Sequence, residues 1–144
     1  MAANDLIVVI GCSKFGAAIA NECSSSGKYT AVIDINPIAF RKLDNSYSGY
    51  TIEGDAMDKD ILLEANINEA TEVDIMTNSD NTNIFLASLI LHYYRVPLVI
   101  VRLQDEKKSR LLKDKRVRII SPALLSINTY HQVIDTYKKN KEGK

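Results

Sequence analysis

An unbroken apolar run, Leu6-Ile7-Val8-Val9-Ile10, leads into Gly11-Cys12-Ser13-Lys14-Phe15-Gly16 and then into Ala17-Ala18-Ile19-Ala20. No other stretch limits the choice of fold as strongly. A β-branched run that is apolar at every position predicts a strand covered on both faces, as in a parallel sheet. The small residues after the turn favour a helix. Strand, glycine turn and helix in that order suit a phosphate, because the helix start presents unpaired N–H groups and the positive end of its dipole. The first glycine permits the tight turn, and the last lets the helix lie close on the sheet. The spacing is G-x-S-x-x-G, with Ser13 where a middle glycine usually admits a pyrophosphate. Serine adds a Cβ but also a hydroxyl that can donate to a phosphate oxygen. The alternative reading of the same residues is a strand-to-helix turn that holds no ligand.

The rest of the chain repeats the alternation. Strands are predicted at 29–33, 50–52, 73–76, 98–101 and 117–120. Helices are predicted from Lys14 to Ser26, from Asn36-Pro37 onward, over 58–65, over 80–94 and over 106–113. A final helix runs from Ser121-Pro122 to Tyr137, and Lys138 to Lys144 form a fraying basic tail. Six strands alternating with helices require a parallel, doubly wound, three-layer α/β/α sheet with right-handed crossovers. The order 3-2-1-4-5-6 follows once a nucleotide loop comes after the first strand. Residues 1–137 are expected to make one Rossmann-like nucleotide-binding domain.

Several function classes recede at this point. The formal net charge is zero, so no global field draws the chain to nucleic acid or an anionic membrane. The basic stretch from Lys107 to Arg116 lacks interleaved aromatics and reads as a solvated face. No apolar run reaches the roughly 18 residues of a membrane span, so no direct insertion is expected. Residues 1–5 carry no basic region of the kind that opens a signal peptide. Cys12 and Cys23 form neither a disulfide framework nor a metal pattern, and they suit a reducing cytoplasm.

In a doubly wound sheet the ligand lies beyond the carboxyl ends of the strands, where the strand order reverses. The candidate residues are therefore the strand ends. Gly11 to Gly16 follow the first strand, with Lys14 a cation that can neutralise phosphate or simply a solvated first-turn residue. Asp34 and Ile35 follow the second strand. An acid there can accept both hydroxyls of an adenosine ribose and repels a 2′-phosphate, which disfavours NADP. Its alternative role is a turn acid leading a helix. Asp55 and Ala56 follow the third strand, near an adenine, or form a plain turn. Thr77 and Asn78 follow the fourth strand, and Asp80 to Asn83 read as helix caps. Arg102 ends the fifth strand, where it can reach a phosphate or, as the residues favour, pair with Asp105.

These pieces resemble a known family. Gly11 to Gly16, Val32-Ile33-Asp34-Ile35-Asn36, Gly54-Asp55-Ala56, Thr77 to Asn83, Val101-Arg102-Leu103 and Ile119-Ile120-Ser121-Pro122 are similar, in that order, to the N-terminal lobe of the RCK (regulator of potassium conductance) domain, also called TrkA-N or KTN. The likeness covers about residues 6–135. It implies a cytoplasmic regulatory module, held at the inner face of the membrane by a potassium channel or transporter subunit. It implies NAD(H) or an adenine nucleotide (ATP, ADP or AMP) as ligand, with Lys14 near the phosphates, Asp34 on the ribose, and Asp55 and Ala56 beside the adenine. It also implies a homodimer or larger ring whose shape responds to the ligand. The chain stops before the family's C-terminal lobe, and Ser13 departs from its glycine.

The last helix bears on assembly. Leu124, Leu125, Ile127, Tyr130, Val133, Ile134 and Tyr137 make a broad apolar face. In the family the corresponding helix packs on a partner subunit; taken alone, the residues equally suit a helix covering its own sheet. Two other functions stay open. A small NAD-dependent oxidoreductase needs an acid or base beside the nicotinamide, and the only histidines, His92 and His131, stand at no strand end. A ligand-free Rossmann scaffold would act through protein contacts alone.

Overall fold

Strand β1, Leu6–Ile10, lies in the interior of the sheet with neighbours on both edges. A computed structural model describes residues 5–143. Residues 1–4, with the N-terminal part of the leader reading, and Lys144 at the tip of the tail lie outside the described residues. The other strands are β2 Tyr29–Asp34, β3 Tyr50–Glu53, β4 Glu72–Ile75, β5 Leu98–Arg102 and β6 Val117–Ile120. All five pairings are parallel, and the order is β3-β2-β1-β4-β5-β6, as the alternation predicts. The order reverses at β1, which pairs β2 on one edge and β4 on the other.

Both faces of β1 are buried, which explains its continuous apolar sequence. Val8 and Ile10 point into a core with Ile33, Ile75, Leu86, Ile90 and Val99. Ile7 and Val9 point the other way, onto Ala17 and Ala20 of α1, Lys14–Ser25. Helices α2, Lys59–Glu64, and α3, Asp80–Tyr93, cover the first face. A 3-10 turn, Pro37–Lys42, joins α1 on the second. The sequence predicts a full helix after β2; the chain makes only this turn, opened by Asn36 Oδ1 accepting from Ile38 N at 3.0 Å. The segment after β5 is likewise a 3-10 turn, Glu106–Leu111, with Leu111 exposed and Leu112 buried.

In α3 the buried set is Asn83, Leu86, Ala87 and Ile90, spaced i, i+3, i+4, i+7, while Phe85 is exposed. Asn83, which the sequence reads as part of a helix cap, is thus interior, and Ile84, Leu89 and Leu91 pack against the same core. The basic stretch also departs from a solvated face. The Arg116 guanidinium donates to the Leu91 and Tyr94 carbonyls at the end of α3 (2.8 and 3.1 Å) and to Asp114 at 2.9 Å. That guanidinium holds the Asp114 carboxyl down to about 2.

The largest departure is α4. It runs Pro122–Glu142, five residues past the expected end, so most of the basic tail is helical rather than frayed. It does not cover its own sheet: no residue of it is buried, and Leu125, Ile127, Tyr130, Val133 and Tyr137 are each more than half exposed. Among the described residues, no helix is long and apolar enough to cross a membrane.

Candidate nucleotide site at the strand ends

The carboxyl ends of β1, β2, β3 and β4 enclose a cleft of about 540 Å³, within the range of small-molecule sites. Gly11, Cys12, Ser13, Asp34, Ile35, Asp55, Ala56, Thr77 and Asn78 line it, so nine of the expected positions meet in one place. Lys14, Phe15 and Arg102 do not. They border a neighbouring depression, which shares Ser13 and Asn78 and reaches to Pro122 and Leu125 of α4. Gly16 is buried in the first turn of α1 and lines neither.

The loop conformation follows from its two glycines. Gly11 has φ +96°, and a Cβ there would stand 2.8 Å from the Thr77 amide nitrogen. A Cβ at Gly16 would fall 2.0 Å from the Gly11 carbonyl oxygen. Ser13 has a different role from the one its hydroxyl suggests. It caps α1 by accepting from Gly16 N at 3.1 Å and donates its own proton to the Met76 carbonyl at 2.8 Å. Its hydroxyl is therefore committed to tying the loop to the end of β4 and has no proton left for a phosphate. Ala17 N to Ser13 O, 2.8 Å, closes the first helical turn, so the amides of Lys14 and Phe15 stand ahead of the ladder.

Asp34 is half-buried and clamps two segments. One oxygen accepts from Cys12 N and the other from Asn36 N, each at 2.8 Å. Each oxygen keeps a second lone pair for a sugar hydroxyl. Asp55 accepts from Met57 N at 2.9 Å, while Asp58, not Asp55, caps α2. The Cys12 thiol is fully buried and donates to the Ala39 carbonyl at 3.4 Å. Burial, and then the Asp34 charge, push it up, so it stays a thiol rather than a reactive thiolate.

On the β4–β5 side the interior polar group is Asn83. Its Nδ2 donates to the Thr77 and Arg102 carbonyls at 3.0 and 2.8 Å, and the Thr77 hydroxyl donates to its Oδ1. Ser79 is the α3 cap, and Asp80 instead accepts from the amides of Gln104 and Asp105 at 2.8 and 3.0 Å. Burial works against ionising Asp80, but those two amides, with Lys108 and Arg102 nearby, hold it below the usual range. Arg102 donates to Asn78 Oδ1 at 2.7 Å and not to Asp105, whose side chain caps the following turn. Lys42, unremarked in the sequence, lines the cleft, and its ammonium reaches the Cys12 carbonyl at 3.3 Å. No local motif marks it, since it returns to the loop only because the turn after β2 is short. His92 and His131 line no part of the cleft; each is exposed and set edge-on against a neighbouring tyrosine.

A glycine loop after β1, an acid after β2 and a cleft where the strand order reverses define a doubly wound domain of the Rossmann type. The chain belongs to the TrkA-N domain family, whose model matches residues 7–122. It is similar to the Trk system potassium uptake protein TrkA of Streptomyces coelicolor, 34% identical over 105 residues, covering 73% of this chain and 47% of the relative. It is 29% identical over 136 residues to the TrkA homolog of Pyrococcus horikoshii, covering 90% of this chain and 60% of that one. The chain thus spans about half to three-fifths of the length of these relatives. Solved structures share the fold. The GsuK channel bound to NAD superposes with a TM-score of 0.76 at 23% identity, covering 94% of this chain and 24% of that chain. GsuK bound to ADP gives 0.73 at 23%, covering 92% and 34%. The AMP-bound Kef C-terminal domain of Shewanella denitrificans gives 0.69 at 16%, covering 95% and 93%.

Proposed function

We propose that this chain is a cytoplasmic nucleotide-sensing module of potassium transport. It binds NAD(H), ATP, ADP or AMP in the cleft and regulates a membrane channel or transporter subunit through a change in oligomer shape. Residues 1–137 serve as the nucleotide-binding unit. The observation that carries this reading is the convergence on one cleft of the glycine turn, the ribose acid Asp34 and the Asp55-Ala56 edge. Structures of the same fold crystallised with NAD, ADP and AMP support it. Asp34 grips the ribose hydroxyls, the loop amides face the phosphates, and Asp55 and Ala56 meet the adenine.

Thermal melting with AMP, ADP, ATP, NAD and NADH tests it. A ligand at 100 times its dissociation constant adds about 2.7 kcal/mol, which is a rise of roughly 5–10 °C for a domain this size. Asp34→Ala is expected to abolish that rise, scored against its own ligand-free melting point because the clamp on Cys12 and Asn36 is lost as well. Silence with every nucleotide, or an undiminished shift in Asp34→Ala, would refute the reading. NADH turnover with added carbonyl compounds would point to an oxidoreductase instead.

The exposed face of α4 is assigned to a second copy of this chain, giving a homodimer or a ring. Leu124, Leu125, Ile127, Tyr130, Val133 and Tyr137 are between 41% and 62% exposed, and a row of exposed apolar side chains on one helix is the kind of surface that partners cover. Ile127→Asp with Tyr130→Asp should weaken self-association at least 100-fold in sedimentation equilibrium, since burying each apolar side chain contributes about 1.5–3 kcal/mol. A wild-type chain that is monomeric at high micromolar concentration would rule this contact out.

A further inference from the structure

We propose that Lys42 is a cation that holds a ligand phosphate in the cleft. The assignment rests on the nucleotide reading above and deepens it.

A phosphorylated ligand brings negative charge into a cleft that already holds two carboxylates. Asp34 and Asp55 both line it, and among the described lining residues Lys42 is the single basic side chain. Lys14 borders the neighbouring depression instead. Part of the loop's donor set is already committed within the protein. Cys12 N is taken by Asp34 and Gly16 N by Ser13. The Ser13 proton is taken by the Met76 carbonyl. The Lys14 and Phe15 amides remain for an anion, and a side-chain cation adds the full charge that amides lack.

Lys42 is well placed to supply it. It ends the turn Pro37–Lys42, which is tied to the loop twice: Asp34 bridges Cys12 N and Asn36 N, and the Cys12 thiol donates to the Ala39 carbonyl. The backbone that carries Lys42 is thus fixed against the loop it serves. Its ammonium donates to the Cys12 carbonyl at 3.3 Å, a long bond that leaves two further protons. Among the described residues, no carboxylate oxygen lies within 4 Å of it. A phosphate replacing or joining that carbonyl contact would give the ammonium a charged partner.

The test is binding of adenosine, AMP, ADP and NAD to the full chain, by calorimetry and by thermal shift with millimolar adenosine. Wild type is compared with Lys42→Gln, Lys42→Arg, Lys14→Gln and the double variant Lys14→Gln with Lys42→Gln at low and at moderate salt. Lys42→Gln should weaken ADP and NAD about 10-fold, leave adenosine within twofold and flatten the salt dependence. Lys42→Arg should restore most of the affinity, and the loss in Lys42→Gln should persist when Lys14→Gln is added. Unchanged ADP affinity in Lys42→Gln, or an equal loss for adenosine, would overturn the assignment while leaving the nucleotide reading in place. A wild-type chain that binds none of the four would overturn that reading, and the assignment with it.

Discussion

Gly16→Ala should lower stability by about 3 kcal/mol, read as a shift in the urea midpoint with an unchanged slope. The added methyl carbon would stand 2.0 Å from the Gly11 carbonyl oxygen. That oxygen belongs to backbone and has no rotamer through which to escape. Gly11 is itself wedged against the end of β4, where any Cβ meets the Thr77 amide nitrogen at 2.8 Å. Relief at Gly16 therefore requires either α1 to lift from the sheet or the loop to open. Either movement also breaks the Ser13 cap on Gly16 N and its tie to Met76. Gly27→Ala is the matched comparison. Gly27 has φ +81° but nothing lies within 4 Å of the point a methyl would occupy, so it should cost only the backbone strain of about 1–2 kcal/mol. Equal losses at the two sites would show that close approach of α1 is not what Gly16 supplies.

Asp74→Asn should stabilise the domain at pH 8 by about 2–4 kcal/mol and make little difference near pH 4. Asp74 sits on β4 between Val9 of β1 and Ile100 of β5, and only 1% of it is exposed. When ionised, neither of its oxygens has a donor. When protonated it can donate to Glu72, two residues back on the same face of the strand. Burial first, then that hydrogen bond and the Glu72 charge, raise its pKa to about 8, with Lys28 pulling weakly the other way. Cys23 on α1 shares the pocket, and its thiol is pushed up by burial and then by Asp74. The folded-state pKa lies above the unfolded value, so the native state binds the extra proton. Stability is then fullest below about pH 4, falls as pH rises toward 8, and levels off above that. Urea titrations at pH 5, 7 and 9 would read the slope. A wild-type curve as flat as that of Asp74→Asn would place the carboxylate in contact with solvent.

The parts of this molecule that were legible in the sequence are those set by local period and backbone geometry. Leu6–Ile10 is apolar throughout because both faces of β1 are covered, and Gly11 and Gly16 are glycines because backbone passes within 3 Å of each missing Cβ. The apolar run and the glycine spacing are visible in adjacent residues, although the backbone that crowds Gly11 comes from Met76 and Thr77. What stayed hidden depends on long-range partners. Asn83 has the composition of a cap and becomes an interior bridge only because the β4 and β5 ends meet above it. Arg102 faces Asn78 rather than Asp105 because the turn that follows uses Asp105 as its own cap. Lys42 enters the cleft because the segment after β2 stops after one 3-10 turn. Asp74 sits in a strand that reads as ordinary, and only the packing of α1 over it makes the acid costly. An amphipathic α4 says nothing about which surface covers it, and its own sheet does not.

The sheet order has a consequence for how the molecule is made. β1 is the first of the six strands to be synthesised, yet one of its edges is closed by β4, with Ile7 opposite Glu72, 65 residues further on. β2 can close the other edge much sooner, since Ile7 also faces Thr30. Until residues 72–75 arrive, the most apolar strand of the domain keeps a row of unpaired amides and carbonyls open to other chains. Such distant parallel pairing slows folding, so the nascent chain is most exposed to aggregation in the interval before β4 docks, and a holdase that covers β1 would protect it there.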